Sequence, residues 1–228
     1  VDAHRYIADP AAMDVRPSDL LDPAYLAERA RLIDLKKAGD PGYGMPPKGG
    51  TVYLTAADAN GMMVSYIQSN FQGFGSGIVI PGTGIAMQNR GYCFTLEEGH
   101  PNRVGGRKRP YHTIIPGFVT LEGRPLMSFG VMGGLMQPQG HVQMMVRIFD
   151  YGQNPQAASD APRWRIDGGR RVAVEKGFDA SALDDLAARG HDIKVGDGSF
   201  GGAQLIYRLD NGYCAGSDHR KGGQAVGY

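Results

Sequence analysis

The stretch that decides the fold is Lys48-Gly49-Gly50-Thr51-Val52-Tyr53-Leu54, where a segment rich in proline and glycine gives way to a β-strand that begins on a threonine. If the Gly50-Thr51 bond were cut, this hydroxyl would lie beside a free α-amine and could act as a nucleophile with its own base. The alternative is an ordinary strand with a polar first residue. The three residues Gly49-Gly50-Thr51 alone do not separate the two interpretations.

Composition limits the class of protein. The chain has 228 residues, 42% hydrophobic and 21% charged, which is ordinary for a globular protein of one large or two small domains. A net charge of +1 predicts neither nucleic acid nor an acidic membrane as a partner. Cys93 and Cys214 form no metal-type pair, so we expect no metal and no cofactor. The compartment, cytoplasmic or periplasmic, stays open, and the start at Val1 fits a fragment or a processed product.

The chain divides by composition into three segments. Residues 1–38 are predicted to be helical, with a helix from Pro23 to Leu35 that Asp22 caps and Gly39 ends. Residues 39–50 have the glycine and proline content of a linker. From Thr51 onward strand patterns dominate.

The segment 51–228 is predicted to contain three hairpins and three helices. The hairpins pair Thr51–Ala57 with Met62–Gln68, Tyr111–Leu121 with Leu126–Phe129, and Ala203–Leu209 with Gly212–Ala215. The helices span Gln139–Tyr151, Pro155–Asp160 and Ala180–Arg189. Strands, then helices, then strands favour an α+β layered sandwich over a parallel βαβ fold.

Two features could carry amide chemistry. An N-terminal threonine combines a hydroxyl nucleophile with an α-amine whose pKa is about 7.7–8.0. The doublet Gly133-Gly134, after a strand and before a helix, could turn backbone amides toward a developing oxyanion. A plain strand-to-helix turn is the alternative for the doublet.

From Thr51 to Tyr228 the chain resembles the small subunit of γ-glutamyltransferases, which belong to the N-terminal-nucleophile hydrolase superfamily. The matching landmarks run in family order over about 178 residues. They are Thr51 through Asp58-Ala59-Asn60-Gly61, Phe74-Gly75-Ser76-Gly77, Pro81-Gly82-Thr83-Gly84-Ile85, Arg109-Pro110, Gly133-Gly134, Asp160-Ala161-Pro162-Arg163, Val174-Glu175-Lys176-Gly177-Phe178, Gly216-Ser217-Asp218 and Gly227-Tyr228. Residues 1–50 are similar to the end of the family's large subunit.

The resemblance implies a four-layer αββα sandwich with an N-terminal helical segment. It divides the chain into the end of a large-subunit-like region (1–38), a processing linker (39–50) and a small-subunit-like catalytic region (51–228). Cleavage at Gly50-Thr51 would make a heterodimer, and higher oligomers are an option. The family's large subunit is much longer than 50 residues, so we expect its remainder to be needed.

The resemblance also implies site residues. Thr51 is the expected nucleophile and Ser69 the hydroxyl that orients it, while Gly133 and Gly134 fall on the oxyanion pair. The family binds the α-amino group of glutamate with an asparagine, a glutamine and an aspartate, where this chain has Phe71, Arg90 and Cys93. The serine pair for the α-carboxylate corresponds to His112-Thr113.

These replacements bear on the substrate. Arg90 would repel an ammonium but suits a carboxylate, so the pattern is closer to the γ-glutamyltransferase-like acylases. We therefore expect an autoprocessing N-terminal threonine amidohydrolase or acyltransferase that acts on a small amide through an acyl-enzyme on Thr51. The candidate substrate-binding residues are Arg90, His112 and Thr113. The alternatives are a true γ-glutamyltransferase acting in glutathione metabolism and a non-catalytic relative that remains an uncut zymogen.

Overall fold

The computed structural model describes residues 5–39, 50–196 and 200–228. The predicted processing linker lies, apart from Gly39 and Gly50, outside the described residues. The described chain forms two compact units, one from residues 5–39, 89–112 and 166–196 and one from residues 50–88, 113–165 and 200–228. The division of the chain into segments 1–38, 39–50 and 51–228 stays a prediction.

The helices and strands are numbered in chain order. They are α1 (Pro23–Arg31), β1 (Gly50–Ala57), β2 (Met63–Phe71), β3 (Gly117–Leu121), β4 (Arg124–Met132), α2 (Met136–Met145), α3 (Pro155–Asp160), β5 (Trp164–Gly168), β6 (Arg171–Val174), α4 (Ala180–Ala188), β7 (Asp192–Val195), β8 (Gly202–Leu209) and β9 (Gly212–Ser217). Short 3₁₀ turns span Pro10–Ala12, Asp19–Leu21 and Arg90–Cys93. Among the elements so described, none is a helix long and apolar enough to cross a bilayer.

The second unit begins with the hairpin of β1 and β2, which confirms the first predicted hairpin. The Asp58 carboxylate closes its turn by accepting the N–H groups of Asn60 and Met62, each at 2.9 Å. Gly61 has φ +89°, a conformation that glycine adopts at little cost. The turn thus fixes the register of the strand that starts beside Thr51.

A four-stranded antiparallel sheet of order β3-β4-β8-β9 contains the other two predicted hairpins. The strand predicted to start at Tyr111 starts only at Gly117, because Pro116 has no N–H and Ile115 donates its N–H to the side chain of Gln137. The turn is the two-residue Glu122-Gly123, with φ of +51° and +76°, and is shorter than the predicted Glu122–Pro125.

The two sheets of this unit meet through the inward face of β1. Tyr53 packs against Gly130 of β4, and the hydroxyls of Thr55 and Ser128 form a hydrogen bond. On the other face of β4, helix α2 approaches closely, since a Cβ on Gly140 would lie 2.6 Å from a Val131 methyl carbon. A helix layer and two sheets are therefore stacked around β4.

The core lies between the four-stranded sheet and helices α2 and α3. Its buried apolar members are Met127, Phe129, Val131, Met144, Ile148, Ala158, Ala203 and Leu205. Helix α2 starts three residues before the predicted Gln139 and continues as a π-helical turn over Val146–Asp150. Helix α3 spans its predicted residues, and the Asn154 side chain caps it.

The first unit contains α1 and a βαβ crossover. Asp22 caps α1 as predicted, accepting the Tyr25 N–H at 2.9 Å, but the helix ends at Arg31, before the predicted Leu35. Strands β6 and β7 are parallel and joined by α4, which matches the predicted helix from Ala180 to Arg189 except that it ends one residue earlier, before Gly190. The Asp179 side chain caps this helix and was not predicted. The strands β5, β6 and β7 were not predicted from the sequence.

Candidate active site

Thr51 and Ser69 lie opposite each other in the β1–β2 ladder. The Thr51 hydroxyl donates a hydrogen bond of 3.1 Å to Ser69 Oγ. The same Ser69 oxygen accepts the Phe71 N–H at 2.9 Å, so two donors hold it in place. The structure thus brings together the predicted nucleophile and the hydroxyl predicted to orient it.

The ladder is irregular at the peptide bond that processing would cut. Gly50 pairs with Phe71 whereas Thr51 pairs with Ser69, which leaves Asn70 without a partner opposite it in the strand register. Phe71 has φ +76°, in the left-handed region that costs a non-glycine residue on the order of 1–3 kcal/mol. The Gly50-Thr51 bond therefore lies where the pairing is distorted.

Gly133 and Gly134 form the turn from β4 into α2. Their carbonyls accept the N–H groups of Met136 and Gln137 at 3.1 and 3.0 Å, which starts the helix. Both have positive φ, and a Cβ on Gly133 would lie 2.9 Å from the Gly201 Cα. Within the described part of the chain, neither glycine N–H donates a hydrogen bond, and the role of the two amides as an oxyanion pair stays a prediction.

A cavity of about 440 Å³ in the second unit is lined by Thr51 and by Met132, the residue before Gly133. Its other walls come from β8, including Gln204, and from residues 221–226 of the C-terminal tail. The cavity thus joins the start of β1 to the end of β4. Its volume is in the range of small-molecule sites.

Arg90 belongs to the first unit, in the turn Arg90–Cys93, and its side chain is buried. Burial lowers the pKa of Arg90. Burial also raises the pKa of the Cys93 thiol, although the Arg90 charge acts in the opposite direction. Burial, together with the positive charges of Arg90 and Arg109, lowers the pKa of His112. At neutral pH this group therefore contains a cationic arginine beside a neutral histidine and a neutral thiol.

Asn102 holds this group in place and was not predicted from the sequence. The buried side chain donates to the Cys93 carbonyl at 2.7 Å and accepts the Tyr111 N–H at 2.8 Å. It therefore ties the turn that carries Arg90 to the segment that carries His112. The sequence offers no signal for this role, because asparagine in a glycine-rich loop is common.

The predicted substrate-binding residues belong to different units. Arg90 and His112 lie in the first unit, and Thr113 and Phe71, both buried, lie in the second. Their roles in binding stay predictions. In the described ranges no group of three or more His, Cys, Asp or Glu residues could hold a metal ion.

Arg163 and Asp218 form a buried ion pair that the sequence did not predict. Arg163 Nη2 lies 2.6 Å from Asp218 Oδ2, and the two side chains are 1% and 0% exposed. Asp218 also accepts the N–H groups of Ala203 and Arg220. Burial would raise the pKa of Asp218, but the Arg163 charge and these amides outweigh it, so the pKa is lowered. The pair fixes the start of the tail that lines the cavity.

Comparison with known proteins shows which family this chain resembles. A model of the gamma-glutamyltranspeptidase family matches residues 1–228. The chain is 37% identical over 238 residues to the oxamate amidohydrolase proenzyme of Klebsiella pneumoniae and 35% identical over 239 residues to the glutathione hydrolase-like YwrD proenzyme of Bacillus subtilis. It covers 44% and 45% of those relatives, and each alignment includes 100% of this chain.

A solved structure agrees with the sequence matches. The cephalosporin acylase from Bacillus halodurans superposes with a TM-score of 0.92 at 47% identity, over 100% of this chain and 42% of that one. The α+β fold, an αββα sandwich of the N-terminal-nucleophile hydrolase type, is thereby confirmed. The chain belongs to the gamma-glutamyltranspeptidase family.

Proposed function

We propose that this protein is an autoprocessing N-terminal threonine amidohydrolase or acyltransferase. The observation that carries the proposal is the 3.1 Å hydrogen bond from the Thr51 hydroxyl to Ser69, at the distorted end of β1. The family membership supports it, and so do relatives whose names describe proenzymes that hydrolyse amides.

Processing would come first. Thr51 Oγ1 attacks the Gly50 carbonyl carbon, the C–N bond breaks, and the acyl group moves from nitrogen to oxygen as an ester. Water then hydrolyses the ester, leaving a carboxylate on Gly50 and an amine on Thr51. The products are a heterodimer of the segment that ends at Gly50 and the segment that begins at Thr51.

The freed amine would act as the base in turnover. With a pKa of about 7.7–8.0, it accepts the hydroxyl proton as Thr51 Oγ1 attacks the substrate amide. The N–H groups of Gly133 and Gly134 stabilise the oxyanion, and each such donor is worth about 10²–10³ in rate. The leaving amine takes the proton, and water or a second amine then removes the acyl group from Thr51.

The substrate would be a small amide with an anionic acyl group. Arg90 is a buried cation, and its planar guanidinium can bind a carboxylate in a bidentate manner. At the positions where the family binds the α-amino group of glutamate, Phe71, Arg90 and Cys93 supply no acid to bind an ammonium. His112 and Thr113 complete the proposed binding residues.

The chain spans less than half the length of the curated relatives described above. The remaining large-subunit sequence is therefore part of the proposal, as a partner that contributes to the binding site. Turnover is best measured on a polypeptide that includes that sequence.

Intact mass spectrometry tests the processing step. The parent protein should convert to two pieces that separate between Gly50 and Thr51, whereas Thr51→Ala should stay whole and inactive. Thr51→Ser, which keeps a hydroxyl, should still be cut. Cleavage of Thr51→Ala at the same bond would refute the assignment of the nucleophile.

An assay with paired substrates tests the acyl preference. A glutaryl anilide should be turned over more efficiently than the matching γ-glutamyl anilide, which differs by an ammonium on the carbon that bears the carboxylate. Efficient turnover of the γ-glutamyl compound would instead support the true γ-glutamyltransferase.

A further inference from the structure

The cavity that contains Thr51 has a distinct charge pattern. Among the described residues that line it, Lys221 is the one with a formal charge, and none is an aspartate or a glutamate. The remaining polar groups are neutral, chiefly the amides of Gln204 and Gln224 and the hydroxyls on β1. Because the described walls carry one cation and no acid, they favour an anionic ligand.

The backbone of Lys221 is held firmly. Its N–H donates to the Asp218 carbonyl at 3.1 Å, and Asp218 itself is buried in the ion pair with Arg163. The tail therefore leaves the sheet at a fixed point. Lys221 is the third residue after Asp218.

The side chain of Lys221 is placed by a glycine. Its stem crosses Gly202, where a Cβ would come within 2.3 Å of Lys221 Cγ, so any larger residue would displace the lysine. Gly202 pairs with Met132, which also lines the cavity and precedes Gly133-Gly134. The stem thus runs across the sheet beside the strand end that leads into the oxyanion glycines.

The ammonium of Lys221 is available to a ligand. In the described ranges it forms no hydrogen bond and no ion pair, and the residue is exposed to solvent. A lysine whose stem is packed while its ammonium stays unpaired is suited to bind a carboxylate that enters the cavity.

We propose that Lys221 is a specificity-determining residue that binds a carboxylate of the amide substrate. This inference rests on the proposed function and adds a cation to it that is independent of Arg90. The carboxylate could belong to the acyl group or to the leaving amine. Loss of one charge-assisted contact should lower kcat/KM by about ten- to a hundredfold for substrates that carry that carboxylate.

Matched amides distinguish the two sources. One pair compares glutaryl anilide with neutral valeryl anilide, and the other compares valeryl 4-aminobenzoate with valeryl anilide. Lys221→Gln should lower kcat/KM for the anionic member of one pair and leave the neutral member within about twofold. Lys221→Arg should restore activity, and Lys221→Glu should lower it further. Lys194 is an exposed lysine of the other unit, and Lys194→Gln is the control for net charge.

Equal effects of Lys221→Gln on both members of each pair would overturn the inference. If the parent turns over none of these amides, the result contradicts the proposed function and not the role of Lys221. A binding measurement then tests whether Lys221 binds a carboxylate. In Thr51→Ala protein, calorimetry with glutarate and with 4-aminobenzoate should show at least one of the two bound about tenfold or more tightly with Lys221 than with Gln at that position. Equal affinities of the two proteins for both ligands would refute a role for Lys221 in carboxylate binding.

Discussion

Tyr53 packs directly onto Gly130, so that a Cβ on Gly130 would lie 2.4 Å from a ring carbon of the tyrosine. Tyr53 is two residues after the proposed nucleophile on the inward face of β1, and Gly130 is three residues before Gly133 on β4. The Tyr53 hydroxyl bonds Ser65 Oγ at 2.7 Å, and Ser65 donates to the Gly117 carbonyl at 2.8 Å. One buried ring therefore sets the spacing between the strand that carries the proposed nucleophile and the strand that leads to Gly133-Gly134.

Gly130→Ala should damage both stability and processing. The new methyl group must displace the Tyr53 ring, and overpacking of this kind costs about 1–3 kcal/mol. Urea unfolding of a Thr51→Ala background measures the stability, and intact mass measures the processing rate. Gly106→Ala, at a glycine with open space around it, should change neither. Parent-like processing in Gly130→Ala would show that the spacing does not depend on this contact.

Tyr53→Phe separates the hydroxyl from the ring. The ring should still fill its place, but the hydrogen bond to Ser65 is lost, which should lower the free energy of unfolding by about 1 kcal/mol. If the hydroxyl also fixes the position of β1, kcat should fall while KM stays near the parent value. Tyr66→Phe removes an exposed hydroxyl from the same hairpin and is the matched control. A KM effect without a kcat effect would contradict a positioning role.

The sequence predicted local features well. The Asp58–Gly61 turn, the Asp22 cap and the first and third hairpins depend on residues close together in the chain, and they occur as predicted. Helix α2 starts at Met136, before the predicted Gln139, so Pro138 does not end it. Pro138 instead lies in the first turn of α2, where the backbone N–H has no partner within the helix and its loss is tolerated.

Features that depend on distant residues could not be predicted. Strands β6 and β7 have four residues each and pair in parallel across α4, so they are too short for periodicity to indicate. Arg163 and Asp218 are 55 residues apart, and only the fold shows that they pair. Thr51 and Ser69 were predicted through the family resemblance, and the hairpin register then accounts for their contact.

Ser69→Ala should slow processing without unfolding the protein. Thr51 Oγ1 and the Phe71 N–H both lose their acceptor, so the nucleophile is no longer oriented, and small misplacements of reacting groups cost about a hundredfold in rate. Ser69→Thr keeps the hydroxyl and should process within a few-fold of the parent. Time courses by intact mass give the rates. Processing of Ser69→Ala at the parent rate would remove Ser69 from the site.

Asp218→Asn should destabilise the protein by about 3–5 kcal/mol, because it leaves Arg163 as a buried charge without its counter-ion. Asp210→Asn, in the exposed turn between β8 and β9, should change stability by less than about 0.5 kcal/mol. The lowered pKa of Asp218 means that its contribution is present above the ordinary value of 3.8 and is lost as pH falls through the folded-state value. Urea unfolding at neutral and acid pH tests both statements, and equal stabilities of the two variants at neutral pH would contradict the first.

Titration of His141 should lower the free energy of unfolding as the pH falls from 6.5 to 4. Its side chain packs on the Phe129 ring and its Nε2 accepts the Val131 N–H, an arrangement that requires the neutral imidazole. Burial lowers the pKa of His141 from 6.5 to about 4, so in that interval the unfolded chain binds more protons than the folded one. The loss should reach roughly 3 kcal/mol at pH 4. Urea unfolding of the parent and of His141→Gln measures it, because glutamine stays neutral throughout. At pH 8 the difference in free energy of unfolding between the two proteins reports packing alone. On acidification the parent should lose stability relative to His141→Gln. A difference that stays constant from pH 8 to pH 4 would show that His141 does not titrate with folding.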